Sequence, residues 1–491
     1  MVRCLFALVL LAATPAWAAG FFRPGIGVGN LGAGGTGVSG GWSGYGHWYN
    51  PALLSLTKGT AQLTLDWTKL DEGFSYQRSR DGLLPAERAA DPAAADKESA
   101  LIGNCCAEEP AGGEVDESAP RDIPFLGVAF PVSKDLFLGL AIYGPHAPQR
   151  QMSAQGSQRY SAVSNDIILA IAQITAAYRQ KRWGVGLGLA NFDLRVGQDF
   201  TLSGDPFGTE NPDYDAVAKV AVRDGFIPVA NIGFWATPMD GLRVGLSLQK
   251  PLQMKCVGQG AAELCGHVVA EGTVDAELGP GLASLASITA NDGGSLVMRF
   301  PDMLRFGATQ QVVTGLELSV EGFYEAWGEI GSLTFVPNNV VFDALGEEIV
   351  LENIVFPRRW ENTYGVRFGT RWDMPTKWTK VPVQMRFGTQ WESSAAPLVE
   401  VDTGGLDWEK LGVSVGLGVE VSKGLSVDVF YLKTLTATLD VANSNMRTSN
   451  ILHADNIADG GFGLETVSAN GVYTIDHQRL GVGLRYALGV N

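Results

Sequence analysis

The chain has 491 residues, a formal charge of −16, 18% charged residues and a mean hydropathy of +0.07. Such an acidic chain offers no basic patch for nucleic acid. No stretch reaches the roughly 20 apolar residues a membrane-spanning helix needs, so its hydrophobicity has to be carried by strands.

Arg3, the apolar run Cys4 to Ala13 and the small-x-small site Ala16-Trp17-Ala18 read as a secretory signal peptide over residues 1–18. Removing Arg3 with it leaves a charge of −17. Export to an oxidising compartment makes Cys256 and Cys265 a candidate loop-closing disulfide. For the adjacent Cys105 and Cys106, a bridge between the pairs, a vicinal bond and free thiols all remain open. No histidine accompanies that pair at ligand spacing, so no metal site is expected, and no cofactor either.

Residues 19–57 form a glycine-rich segment ending in Trp48-Tyr49-Asn50-Pro51-Ala52-Leu53-Leu54. It lacks strand alternation, and Asn-Pro is a turn signal. Glycine permits close backbone packing, which suits a compact plug inside a barrel, the hatch, with Asn50, Pro51 and Ala52 at its end. A flexible periplasmic extension is the alternative.

From residue 58 to 491, segments of about ten residues alternate apolar with polar or glycine, joined by connectors that are alternately very short and very long. The pattern predicts an all-β fold, a transmembrane antiparallel β-barrel of about 14 strands with the N-terminal plug in its lumen. Strands are predicted to start near 59, 123, 135, 166, 182, 225, 241, 296, 315, 361, 378, 411, 424 and 476. Short turns such as Ser133-Lys134, Thr314-Gly315 and Ser422-Lys423-Gly424 are assigned to the periplasm. Long loops at 70–122, 144–165, 197–224, 254–295, 328–360, 393–410 and 441–475 are assigned to the cell exterior.

The pleat places Glu317, Glu321 and Glu325 on one face of their strand and Arg367 and Arg371 on the same face of the next. A lumenal charge ladder is expected. The early segments 123–130, 136–143 and 167–177 are apolar on both faces, so side chains such as Phe137, Ile167 and Leu169 point inward. An apolar lumen suits a carrier of hydrophobic molecules. Packing against the plug accounts for the same residues and is compatible with it.

Several motifs follow one another in an order that resembles the long-chain fatty-acid transporter family of outer-membrane proteins, which includes carriers of aromatic hydrocarbons. They are the glycine-rich start with Asn50-Pro51-Ala52, Tyr143-Gly144-Pro145, Gln158-Arg159-Tyr160 leading into Ala176-Ala177-Tyr178-Arg179, Phe300-Pro301 before Arg305-Phe306-Gly307, Tyr324 to Trp327, and Trp360-Glu361-Asn362-Thr363. The resemblance implies a hatch and a docking region formed by the third and fourth long loops, 197–224 and 254–295. It also implies a side opening beside the third strand and diffusion without an energy source. The chain departs from the pattern in ending Tyr486-Ala-Leu-Gly-Val-Asn491 and in its long, acidic, cysteine-bearing first loop.

The expected cargo is a hydrophobic small molecule, most of all a long-chain fatty acid. Candidate contacts are Phe137, Tyr143, Tyr160, Ile167, Leu169 and Phe226, with Arg159 or Arg179 as a cation for a carboxylate. The expected partners are that ligand, outer-membrane lipid and the barrel assembly machinery, for a monomer without nucleic acid. Gly27-Val-Gly-Asn-Leu-Gly32 and Gly37-Val-Ser-Gly-Gly41 match nucleotide and hydrolase patterns but lack the strand–turn–helix setting that gives those patterns meaning. His47, His146, His267, His453 and His477 show no triad spacing. A general porin and an outer-membrane enzyme are the competing classes.

Overall fold

The computed structural model describes residues 25–78, 115–118, 120–144, 149–205, 211–257, 264–290, 293–338, 340–344, 347–350, 353–448 and 466–489. The signal segment, Cys105 and Cys106 lie outside these residues.

The wall is a closed antiparallel barrel of 14 strands. They are β1 (Ala61–Arg78), β2 (Arg121–Pro131), β3 (Leu136–Tyr143), β4 (Ser164–Arg179), β5 (Trp183–Ser203), β6 (Asp215–Met239), β7 (Leu242–Pro251), β8 (Met303–Val313), β9 (Leu316–Glu325), β10 (Thr363–Asp373), β11 (Val383–Glu392), β12 (Lys410–Ser422), β13 (Leu425–Val441) and β14 (Gly471–Leu488). β1 closes the ring by pairing with β14 from Ala61↔Leu488 to Arg78↔Gly471. Closure leaves the first and last strands no open edge facing lipid, where an unpaired backbone group finds no water. Side chains alternate accordingly. In β1, Leu63, Leu65 and Trp67 are exposed on the outer face, while Gln62, Thr64, Asp66 and Thr68 are buried on the inner one.

Four expected boundaries shift, and the simplest is the last strand, which begins at 471 rather than near 476. The eighth strand begins at 303 rather than near 296, because Gly294–Met298 is a separate strand pairing with Leu264–Leu278 and Ser332–Pro337. The eleventh begins at 383 rather than 378, because a turn of helix, Thr376–Thr379, fills the connector. Most of the expected loop 197–224 belongs to the β5–β6 hairpin, which pairs out to Ser203↔Asp215. Its register slips between Phe192 and Leu194. Beyond the slip the outer face carries Asp193, Arg195, Lys219 and Arg223, with Arg223 2.6 Å from Asp193. The ladder continues there, but outside lipid the outer face need not be apolar, so the alternation that marks a spanning strand ends early.

The lumen is graded along its axis. Near the periplasm the inner face is polar, with Gln62, Thr64 and Asp66 on β1 and Arg485 on β14. Toward the exterior it becomes apolar, with Phe74, Tyr76, Tyr473, Ile475, Ile167, Leu169, Leu194, Val196, Val220 and Val222 in one buried cluster. Residues 25–57 lie inside the barrel as two short helices, α1 (Val28–Leu31) and α2 (Gly46–Tyr49), and two turns of 3-10 helix. Cys256 and Cys265 stand directly opposite one another in backbone register.

Candidate ligand path

The plug is seated through its backbone. Asn50 caps the following turn by accepting the Ala52 N–H (3.1 Å), and its amide donates to the Val38 carbonyl (2.8 Å) and to Phe234 on the wall (2.9 Å). Pro51 then starts the 3-10 turn, where a missing N–H costs nothing. Gly233 makes this approach possible, since a Cβ there would lie 2.0 Å from Asn50 Oδ1. On the opposite wall a Cβ at Gly388 would lie 2.1 Å from the Gly34 nitrogen.

The expected charge ladder is in register but works differently. Glu317 stands opposite Arg371 and Glu321 opposite Arg367, yet among the described residues no ion pair within 4.0 Å joins Glu317, Glu321 or Glu325 to Arg367 or Arg371. Glu321, Arg367 and Arg371 turn to the plug instead, Arg367 donating to the Gly35 carbonyl at 3.5 Å. The Glu321 carboxylate accepts the N–H groups of Gly37 (2.8 Å), Val38 (2.8 Å) and Ser39 (3.3 Å). Arg371 donates to the Thr36 carbonyl (2.7 Å) and to Asn30 Oδ1 (3.2 Å). Arg367 lies 4.3 Å over the Phe323 ring, and Glu325 accepts from the Trp327 indole at 2.7 Å.

Above the plug is an apolar cavity lined by Ile167, Leu169, Leu194, Val196, Leu296, Met298, Phe300 and Leu333, with Gln198, Gly404 and Arg358. Its volume is about 20 Å³, room for little more than one water. Arg358 is its one charged lining residue among those described. Nothing in the sequence pattern marks it, because it sits in a connector with no strand pattern.

The other expected contacts divide. Ile167 and Leu169 line the cavity. Tyr143 is buried nearby, donating to Gln173 (2.6 Å) and edge-on to Trp48 of the plug. Phe137 packs against Leu54, Ala129 and Ala177, so it seats the plug rather than lining the cavity. Arg159 binds Asp215 (2.7 Å) and Tyr160, so neither it nor Tyr160 faces the cavity. Arg179 donates to the Ser55 carbonyl (2.8 Å) at the periplasmic end. Phe226 is 64% exposed on the outer face, because the bulge beside Asp193 turns it outward.

Among the described residues, pairing along the wall is interrupted beside β3. That strand pairs with β2 and β4 only as far as Tyr143, and pairing to β4 resumes at Gln149–Gln151. Pro124, without an N–H, suits the edge left on β2. Arg121 straps the gap, donating to the Ile167 carbonyl (2.8 Å), Asp166 (2.6 Å) and Gln149 (3.2 Å). A cleft lined by Ile26, Gly27, Pro124, Phe125, Tyr143 and Gly144 runs from the start of the plug to this gap. Below the plug a polar vestibule of about 600 Å³ is lined by Glu317, Arg243, Arg371, Arg386 and the periplasmic turns.

A closed antiparallel barrel of 14 strands has solved counterparts. A family model described as "Outer membrane protein transport protein (OMPP1/FadL/TodX)" matches residues 9–472. The chain belongs to this family. It is an outer-membrane transport protein. Among solved structures, a Pseudomonas aeruginosa FadL homologue superposes with a TM-score of 0.67 at 16% identity, over 96% of this chain and 100% of that one. The Pseudomonas putida toluene transporter TodX superposes with 0.61 at 14% identity, over 94% and 99%. The Ralstonia pickettii toluene transporter TbuX gives 0.59 at 11%, over 94% and 98%. At these identities the likeness is one of fold. No curated protein sequence matches the chain.

Proposed function

We propose that this FadL/TodX-family carrier takes up long-chain fatty acids by diffusion, with residues 25–57 as the hatch. The supporting observation is Arg358, a buried guanidinium at the edge of a largely apolar cavity. An apolar wall favours a hydrocarbon chain by about 0.8 kcal/mol per buried methylene. A charge-assisted bond from a guanidinium adds recognition that only an anionic head group can use. The acyl chain lies along Ile167 and Leu169, passes Tyr143 and leaves through the gap between β2 and β4 once the Arg121 strap opens. The hatch keeps the barrel closed to water meanwhile.

An aromatic hydrocarbon is the competing cargo, favoured by the small volume of the cavity, which a compact neutral ring would enlarge least. Uptake of radiolabelled oleate and of toluene by cells lacking their own carriers separates the two. Oleate uptake that depends on the chain supports the fatty-acid reading. Toluene uptake without oleate uptake replaces it, and large steady ion conductance with neither would make the protein a porin.

A further inference from the structure

Residues 393–409, between β11 and β12, fold down into the outer mouth. Ala395, Ala396, Val401, Leu406 and Trp408 are buried there, and so are the carboxylates Glu400, Asp402 and Asp407. Acidic groups leave water at this cost only when each has a partner. Two consecutive arginines supply two of them: Arg358 holds Asp402 at 2.9 Å and Arg359 holds Glu400 at 2.9 Å. The loop is also pinned to the far wall, where Asn165 donates to the Gly404 carbonyl at 3.0 Å. Gly404 and Arg358 are part of the cavity lining, so the segment from Asp402 to Gly404 separates the cavity from the outside.

We propose that Asp402 is a built-in occupant of the anion site on Arg358, and that a ligand carboxylate takes its place and so frees the loop. This rests on the fatty-acid reading of the same cavity. A cavity of about 20 Å³ admits no acyl chain until part of its lining moves. Most of the lining sits on hydrogen-bonded strands, whereas the stretch from Asp402 to Gly404 is held to the wall and to its neighbours by side-chain bonds from Arg358, Arg150 and Asn165, and segments held that way open first. A fatty carboxylate carries the same charge and the same acceptor oxygens as Asp402, so Arg358 stays compensated through the exchange. A neutral ligand has nothing to offer Arg358 and would leave it stranded and buried if Asp402 withdrew. Asp402 thereby selects anionic amphiphiles and couples their arrival to opening of the mouth.

The test is hydrogen–deuterium exchange of the full-length protein in detergent, alone, with oleate and with oleyl alcohol, read on peptides covering 393–409, with calorimetry to establish binding. Oleate is expected to speed exchange across 400–406, including Gly405, whose N–H bonds the Asp402 carboxylate. Oleyl alcohol is expected to leave it protected. Asp402→Asn keeps an acceptor oxygen but not the charge. It should bind oleate about tenfold more tightly, with oleyl alcohol unchanged. Oleate binding with loop protection unchanged or increased overturns the proposal alone, as does Asp402→Asn weakening both ligands alike. Absence of oleate binding to the wild-type chain removes the fatty-acid reading, and this proposal with it. The exchange experiment needs no variant, so a folding defect in Asp402→Asn leaves the test intact.

Discussion

Glu321→Ala should unseat the plug while leaving the barrel standing. The carboxylate is buried and accepts three consecutive plug N–H groups, and removing it strands those donors. Hydrogen bonds to a charged group are each worth about 1.5–3 kcal/mol. They do not add in full, because water enters the space left behind, so about 3–5 kcal/mol is a reasonable loss for a broken buried charge site. At 1.4 kcal/mol per factor of ten, the undocked fraction rises roughly 10²- to 4 × 10³-fold. The barrel ladders are untouched, so the heat-modified gel shift should stay near that of the wild type, while bilayer conductance and sensitivity to bulky antibiotics rise. Glu317→Ala is the control. Glu317 lines the wet vestibule, and its loss should cost under about 1 kcal/mol. Wild-type conductance and wild-type protease resistance of residues 25–57 in Glu321→Ala would refute the clamp.

Gly388→Val should displace the plug as well, since even a Cβ there meets the Gly34 backbone; an overpacking cost of about 1–3 kcal/mol should appear as raised conductance, and a quiet channel would count against the close approach. His47 sits on the plug, and burial pushes it down to about 4 from its ordinary 6.5. The unfolded chain therefore binds the extra proton first, so plug stability should be full above pH 6.5 and fall by up to about 3 kcal/mol as the pH drops toward 4. His47→Gln should flatten that decline in conductance-against-pH curves, and an unchanged slope would assign it to other groups. A cysteine replacing Lys423 should resist a membrane-impermeant thiol reagent on intact cells, because the β12–β13 turn shares the periplasmic side with the start of β1; labelling would invert the topology.

The strands were legible because lipid enforces the pattern: Leu63, Leu65 and Trp67 must face outward, so polar partners alternate with them. Where lipid ends the signal ends too, and the β5–β6 hairpin beyond Asp193 carries charge on its outer face while its ladder runs on. The inner-face carboxylates lie on β9 and the guanidiniums on β10, opposite one another in register. What they bind was hidden, because Glu321 has its partners nearly 300 positions away in the backbone of Gly37 to Ser39, and backbone amides leave no mark in a sequence pattern. Arg358 and the loop it holds were invisible for a related reason. A run of Ser, Ala, Pro, Gly and Asp reads as solvated loop, and only the partners that the fold brings to Asp402 and Glu400 allow it to be buried. Arg159 and Arg179 are chemically able to hold a carboxylate, but the fold had already given each a partner.

Uptake of radiolabelled oleate by cells lacking their own carrier, with the wild-type chain and with Arg358→Ala, bears most directly on the central claim. The wild-type chain should restore uptake. Arg358→Ala, present in the outer membrane at equal level and with its heat-modified shift intact, should lose most of it, while toluene uptake by the same cells does not fall. Oleate uptake undiminished in Arg358→Ala, or absent with the wild-type chain, would contradict the assignment of the apolar cavity to a fatty acid.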